Sequence, residues 1–317
     1  MLLFFLALGA QLVLPLAMIV AHGWLRPASA TGFWLRVAAL ALMCWLLALV
    51  GFWALPPWYT PHFLAALAVV ASLIAMARWR ALPAPAGRMR RHVEIGFAAA
   101  LTFLFALQIP AAIGGRQMPV GTVDIAFPVA DIGHRYLVLN GGHHPLINAH
   151  FMTLDNPDHA DYRGQSFAVD LIAIDGRGAR AGGFLGGSDP ADYLIFGAPV
   201  LAPCDGVVIG AEGAMPDLRV PERDTGRLAG NHLLVDCGDF IVLLAHLRQG
   251  SLRVGEGDAV SARQRVGEVG NSGQSGEPHL HVHAQRGMRD GAPLAGEPLP
   301  ISFDGVFPVR NARLRAP

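Results

Sequence analysis

Gly270-Asn-Ser-Gly-Gln-Ser-Gly-Glu-Pro-His279-Leu-His281-Val-His283 joins a glycine-rich turn to histidines at every second position. Alternate residues of a β-strand share a face, so an extended reading projects His279, His281 and His283 together and turns Leu280 and Val282 toward a core. Neutral imidazoles on one rigid face are suitable zinc ligands. A lone H-x-H pair is more often a surface strand, but two upstream residues keep this one company. Asp170 stands in the apolar run Ala168-Val-Asp-Leu-Ile172, and His246 lies near the end of another, Val242-Leu-Leu-Ala-His-Leu247. An acid in such a run is costly to bury unpaired, and a metal would remove that cost.

The rest of the chain divides by charge. Residues 1–123 carry one acid, Glu94, whereas from Arg116 onward 17 arginines face 23 acids, a net of −6. That balance excludes a basic nucleic-acid-binding surface. Four apolar runs come first, at residues 2–21, 33–55, 63–77 and 95–113. A membrane-spanning helix needs about 17–25 residues, and each run reaches or approaches that length. Trp58 and Tyr59 suit one headgroup level of the third run, and Arg78, Trp79 and Arg80 the other. The first run lacks a basic leader and is followed by further runs, which argues against a cleaved signal peptide. The sequence therefore predicts an all-α transmembrane bundle of four helices over residues 1–114. Arg78, Arg80, Arg88, Arg90 and Arg91 cluster between the third and fourth runs, which places that link in the cytoplasm. Four spans then leave both termini, and everything after residue 114, on the extracytoplasmic side. Glu94 sits at a run's edge and Gln108 reads as helix-packing glue, so no transport path of intramembrane charges is apparent.

Beyond Gly114-Gly115 the pattern changes to short β-type runs broken by Gly, Pro, Asn and Asp. Strands are predicted at Leu137-Val-Leu-Asn140 and at residues 167–174, 199–210, 232–237, 240–246, 266–270 and 279–285. Gly238-Asp239 is a natural hairpin connection, and residues 211–230 read as a polar surface loop. Residues 115–317 are thus expected to form a mostly antiparallel β domain. No C-x-x-C pattern occurs among Cys44, Cys204 and Cys237, which argues against a cysteine–zinc site. Cys204 and Cys237 fall in neighbouring predicted strands, either as a disulfide, if the domain is extracytoplasmic, or as two buried thiols.

Taken with Gly197-Ala-Pro-Val-Leu-Ala-Pro-Cys-Asp-Gly-Val-Val208, Leu244-Ala-His-Leu247 and Gly257-Asp258, the opening stretch resembles the lysostaphin/LytM-type zinc endopeptidases that cut peptidoglycan cross-bridges. The resemblance covers roughly residues 165–290 and leaves out the N-terminal third. It implies a metallopeptidase fold for the β domain, Zn2+ held by Asp170 and His281, and His246 and His279 as a catalytic pair. One position departs from the family's pattern. Four residues before Asp170, where a first ligand histidine is expected, stands Ser166, and a hydroxyl is a poor zinc ligand beside imidazole.

Candidates to replace it are His143, His144, His150, His159 and His283. His150, in Asn148-Ala-His150, is favoured because it precedes Gln165-Ser-Phe-Ala-Val-Asp170 after one loop, a pattern similar to a divergent branch of these enzymes. His283 takes the place of a glutamate usual after H-x-H, which suits support of a ligand better than ligation. His143 and His144 follow Gly141-Gly142 in a turn.

The resemblance together with the apolar runs implies a membrane-anchored zinc endopeptidase in a bacterial inner membrane. Its domain would face the periplasm, with peptidoglycan stem peptides or cross-links as substrate and the lipid bilayer as its other partner. No H-E-x-x-H helix is present, so general-base duty would fall to histidine. The loops at 211–230 and 271–278 are expected to wall the substrate groove. Ser166 motivates the alternative of a degenerate domain that binds wall or regulates a hydrolase without cutting. A transporter or sensor reading rests on the spans alone.

Overall fold

The computed structural model describes residues 9–81, 87–183, 185–289 and 292–317. The chain separates into two compact units, Met1–Gly114 and Gly115–Pro317.

In the first unit a π-turn, Gly9–Val13, leads into α1 (Leu14–Trp24), followed by α2 (Ala30–Val50), α3 (Thr60–Ala81) and α4 (Arg88–Gly114). Three segments are long and apolar enough to cross a membrane: Ala30–Val50, Thr60–Arg80 and Arg88–Gly114. The expected count of four spans is therefore not reached among the described residues. The first apolar run is represented by the shorter Gly9–Trp24 helix, and residues 1–8 lie outside the described part. The second run ends early, because the chain leaves the helix at the extended Gly51. The fourth helix starts before its apolar run, since Arg88 to Glu94 are mostly good helix formers that carry it past the hydrophobic boundary. Glu94 accepts from Arg36 at 3.0 Å and from the Ala28 amide at 2.7 Å, while Arg36 donates to the carbonyls of His22 and Leu25. These bonds satisfy carbonyls at the end of α1 that have no helical partner.

The second unit is built on strands β1 (Val123–Ile125), β2 (Arg135–Asn140), β3 (Val169–Ile174), β4 (Pro199–Leu201), β5 (Gly206–Glu212), β6 (Asn231–Asp236) and β7 (Ile241–Leu247). They are followed by β8 (Ala259–Val260), β9 (Arg265–Glu268), β10 (Leu280–Arg286), β11 (Glu297–Leu299), β12 (Ile301–Phe303) and β13 (Arg313–Leu314). Nine of them form one sheet in the order β13-β2-β3-β10-β7-β6-β5-β8, with β11 beside β10, and every pairing in it is antiparallel. β1 and β12 pair in parallel, and β4 pairs with β9. The mostly antiparallel sheet expected from the sequence is what the unit contains.

One predicted strand is corrected. Residues 199–210 form two strands in different sheets, β4 and β5, interrupted around Pro203, which has no amide hydrogen to continue a ladder. Cys204 and Cys237 form a disulfide across 33 residues with Cα atoms 5.9 Å apart, which decides between the two readings of these cysteines. Gly238 turns the β6–β7 hairpin at φ +94°. Val169 and Leu171, Val242 and Leu244, and Leu280 and Val282 all enter the main core. The period of two therefore turns Asp170, His281 and His283 to the opposite face.

Candidate metal centre

β3 and β10 run side by side, and their register sets His281 directly opposite Asp170. Cross-strand partners share a face. Asp170 Oδ1 lies 3.0 Å from His281 Nδ1, and both side chains are buried. On the other flank of β3, a bulge at Leu139 sets Asn140 opposite Asp170, and Asn140 Nδ2 donates to Asp170 Oδ2 at 2.8 Å. Arg310 Nη2 donates to Asn140 Oδ1 at 2.8 Å and so fixes the amide's orientation.

The third side chain arrives from a segment without strand structure. Asn148, fully buried, donates to the carbonyls of Gly142 and Ala168 and caps the short 3-10 helix Ala149–Thr153 by accepting from the His150 amide. That anchor places His150 Nε2 at 3.0 Å from Asp170 Oδ2. Ser166, also fully buried, contacts Thr153 Oγ1 and the Arg163 carbonyl instead of the cluster.

His150, Asp170 and His281 present ligand atoms within 4.8 Å of one another. Burial alone would raise the Asp170 pKa. The neighbouring His150 and His279, with the close polar contacts of His150 and His281, outweigh it and hold the carboxyl well below the usual carboxylate range. Two imidazoles and an ionised carboxylate converging where Asp170 and His281 are buried and His150 is half-buried fit the three-protein-ligand set of an open zinc site.

Two further imidazoles flank the cluster. β6 pairs Asn231 with Leu247 and His232 with Ala245, which leaves His246 as the extra residue of a bulge in β7. His246 has φ +61°, a conformation rare for a residue with a Cβ. Leu244 and Leu247, three apart, consequently both enter the core, and the ring of His246 swings to 4.6 Å from that of His279 and 5.8 Å from that of His281. A regular strand would have sent His246 into the core.

His246 Nδ1 faces the Ser272 carbonyl at 2.9 Å and His279 Nδ1 faces the Glu277 carbonyl at 2.9 Å. Carbonyls only accept, so each Nδ1 carries the hydrogen and each neutral ring has a bare Nε2. His279 Nε2 is 3.7 Å from Asp170 Oδ1. Burial, reinforced by His279 and His281, holds the His246 pKa well below the ordinary histidine value, so the ring is neutral.

The structure thus gathers Asp170, His150, His281, His246 and His279. His279 stands one residue before β10, not within it. His143 and His144 lie away from the cluster; His144 Nδ1 accepts from the Leu146 amide, and the His143 ring is 6.3 Å from that of Phe307. His159 Nδ1 lies 3.4 Å from Asn156 Nδ2. His283 lies behind His281, with Nδ1 at 3.1 Å from His281 Nε2. Asn140 and Arg310 were not singled out from the sequence; the only local signal was the strand ending in Leu139-Asn-Gly-Gly142. The 211–230 loop is tied to the glycine turn, with Asp217 Oδ1 accepting from the Asn271 amide at 2.6 Å and the Asp224 amide donating to Gly273 O at 2.9 Å.

Residues 191–294 match the family model described as peptidase family M23. The resemblance to the lysostaphin/LytM-type enzymes is thereby shown, and the match holds His246, His279 and His281 while Asp170 and His150 lie upstream of it. Among curated proteins nothing matches the chain. Solved structures similar to it include the catalytic domain of a variant of the prophage-encoded M23 protein EnpA from Enterococcus faecalis, at 20% identity over 42% of this chain and 73% of that one, TM-score 0.27. The catalytic domain of lysostaphin from Staphylococcus simulans aligns at 20% identity over 39% of this chain and 71% of that one, TM-score 0.25. A zinc containing peptidase from Vibrio cholerae aligns at 17% identity over 62% of this chain but only 40% of its own length, TM-score 0.30.

Proposed function

We propose that the Gly115–Pro317 unit is a zinc-dependent endopeptidase domain, anchored by the apolar helices of the first unit, that hydrolyses peptide bonds in peptidoglycan stem peptides or cross-links. The observation that carries this reading is the convergence of His150, Asp170 and His281 beside two imidazoles with bare Nε2 atoms.

His150, Asp170 and His281 would hold the metal, with His150 in the role of the ligand absent at Ser166. A zinc ion there supplies Lewis acidity and a water acidified to about neutral pH. His246 and His279 each have a bare Nε2 backed by a carbonyl on Nδ1, so either ring would take a proton during attack and return it to the leaving amine. Protonated, each would stabilise negative charge developing on the scissile carbonyl. The 211–230 loop, pinned to the glycine turn, would form one wall of the substrate groove. The arginine-rich link between α3 and α4 supports a cytoplasmic position for that loop and an extracytoplasmic one for the residues after Gly114.

The test uses the full chain in detergent. Stoichiometric zinc, lost in each of His150→Ala, Asp170→Ala and His281→Ala, together with release of peptides from purified peptidoglycan, is the expected result. His246→Ala should keep the metal and lose hydrolysis. A parent chain without zinc would favour a wall-binding or regulatory domain. Zinc retained in His150→Ala would remove His150 from the ligand set. A reporter fused after Pro317 should be active only where its function requires export.

A further inference from the structure

β10 places His281, His283 and Gln285 at alternate positions, opposite Leu280, Val282 and Ala284 of the core. His281 is 4% exposed and the other two 0%. Together they form a hydrogen-bonded chain running away from Asp170: His281 Nε2 to His283 Nδ1 at 3.1 Å, and His283 Nε2 to Gln285 Oε1 at 3.2 Å. This deepens the proposed zinc site and rests on that reading.

The direction of the chain is set at its far end by backbone groups that cannot change roles. Gln285 Nε2 lies 3.0 Å from the Gly287 carbonyl and 3.1 Å from the Pro293 carbonyl, both obligate acceptors, and Oε1 lies 3.4 Å from the Gly296 amide, an obligate donor. The amide therefore has one orientation. It is also caged: a Cβ on Gly164 would strike Gln285 Oε1, and one on Gly296 would strike the amide carbon of the same side chain. Oε1 only accepts, so His283 carries its hydrogen on Nε2. An imidazole whose Nε2 donates presents Nδ1 as its acceptor, and the 3.1 Å contact of His283 Nδ1 with His281 Nε2 needs one hydrogen between the two nitrogens, so His281 carries it on Nε2. With its one hydrogen committed there, a neutral His281 turns the Nδ1 lone pair toward Asp170 Oδ1, 3.0 Å away. A lone pair facing a carboxylate is repulsive unless a cation lies between them, and a metal is such a cation.

We infer that Gln285, acting through His283, is a positioning residue that selects the His281 tautomer and aims its Nδ1 lone pair at the metal. Support of this kind behind a ligand histidine is worth about 10–100-fold in metal affinity.

The full chain in detergent is titrated with zinc against a chromophoric chelator. Gln285→Leu and His283→Leu should each lose about 10–100-fold in affinity. His283→Gln should stay within about threefold of the parent, because an amide can accept from His281 with its oxygen and donate to Gln285 with its nitrogen in the same sense. Parent-like affinity in Gln285→Leu, or a loss in His283→Gln as large as in His283→Leu, would overturn the inference. In parallel, long-range 1H–15N correlation of the histidine-labelled, zinc-free chain reads the protonated nitrogen of His283, assigned by its disappearance in His283→Gln. Hydrogen on Nε2 supports the relay, and hydrogen on Nδ1 overturns it. A parent chain that binds no zinc would defeat the proposed function, while this second readout would still decide the direction of the chain.

Discussion

Ser166 Oγ lies 2.8 Å from Thr153 Oγ1, and Thr153 Oγ1 lies 2.9 Å from the carbonyl of His150. The residue at the family's ligand position thus supports the short helix that carries His150, the ligand proposed in its place. Ser166 Oγ also lies 2.6 Å from the Arg163 carbonyl, so two hydroxyl hydrogens serve three contacts at a fully buried site.

Ser166→Ala should destabilise the β unit by about 1 kcal/mol, the usual net worth of a buried hydrogen bond, and weaken zinc binding by loosening the His150 helix. Thr153→Val should act in the same direction. Ser166→His combined with His150→Ala should not restore zinc, because the larger ring has no space in this packed position, and overpacking costs about 1–3 kcal/mol. Zinc titration and hydrogen exchange of the β3 amides check all three, and full recovery of zinc in the double variant would refute this account.

Asn140 accepts from Arg310 and donates to Asp170, so it holds the carboxylate in one rotamer. Asn140→Leu keeps the side chain's approximate volume but removes these bonds and the one its Oδ1 accepts from the Ala149 amide at 3.2 Å. Zinc affinity should drop about 10–100-fold, with the protein still folded by circular dichroism. An unchanged affinity would mean that the two imidazoles suffice to hold Asp170.

Acid should destabilise the zinc-free β unit earlier than carboxylate protonation requires. Burial holds His246 and His283 well below the ordinary value of 6.5, with neighbouring histidines adding to the effect. The unfolded chain therefore binds protons that the folded chain does not. Stability falls as pH drops below 6.5, by up to about 1.4 kcal/mol per pH unit for each ring, until the folded pKa is reached. Asp170, with its folded pKa depressed, adds a loss of the same sign at lower pH. Hydrogen exchange of β7 and β10 amides between pH 7 and pH 5 measures the slope, and a flat profile would contradict it.

The disulfide closes a 33-residue separation between the turn before β5 and the end of β6. Chain-entropy reasoning gives about 3–4 kcal/mol for a loop of that size. Cys204→Ser with Cys237→Ser should lower the stability of the β unit by about that much, read from hydrogen exchange of its slowest amides, and leave the exchange of α2 to α4 unchanged.

Much of this architecture can be read from neighbours in the chain. Alternation of Leu280 and Val282 with His281 and His283 sets the two faces of β10, and Asp170 among aliphatic residues marks a buried acid in need of partners. The apolar runs and the lone acid Glu94 mark off the helical unit, although the first run yields only a short described helix. These are short-range signals, because strand and helix periods impose themselves within a few residues.

Only the tertiary structure chose among five histidines, since placing His150 against Asp170 depends on Asn148 reaching the Ala168 carbonyl. It also paired Cys204 with Cys237, and it turned His246 out of the core through a bulge that exists only against β6. His281 and Asp170 are 111 residues apart, and their meeting follows from the register of two strands rather than from either strand's own sequence. Local sequence determined which residues face the same way; long-range packing decided which of them meet.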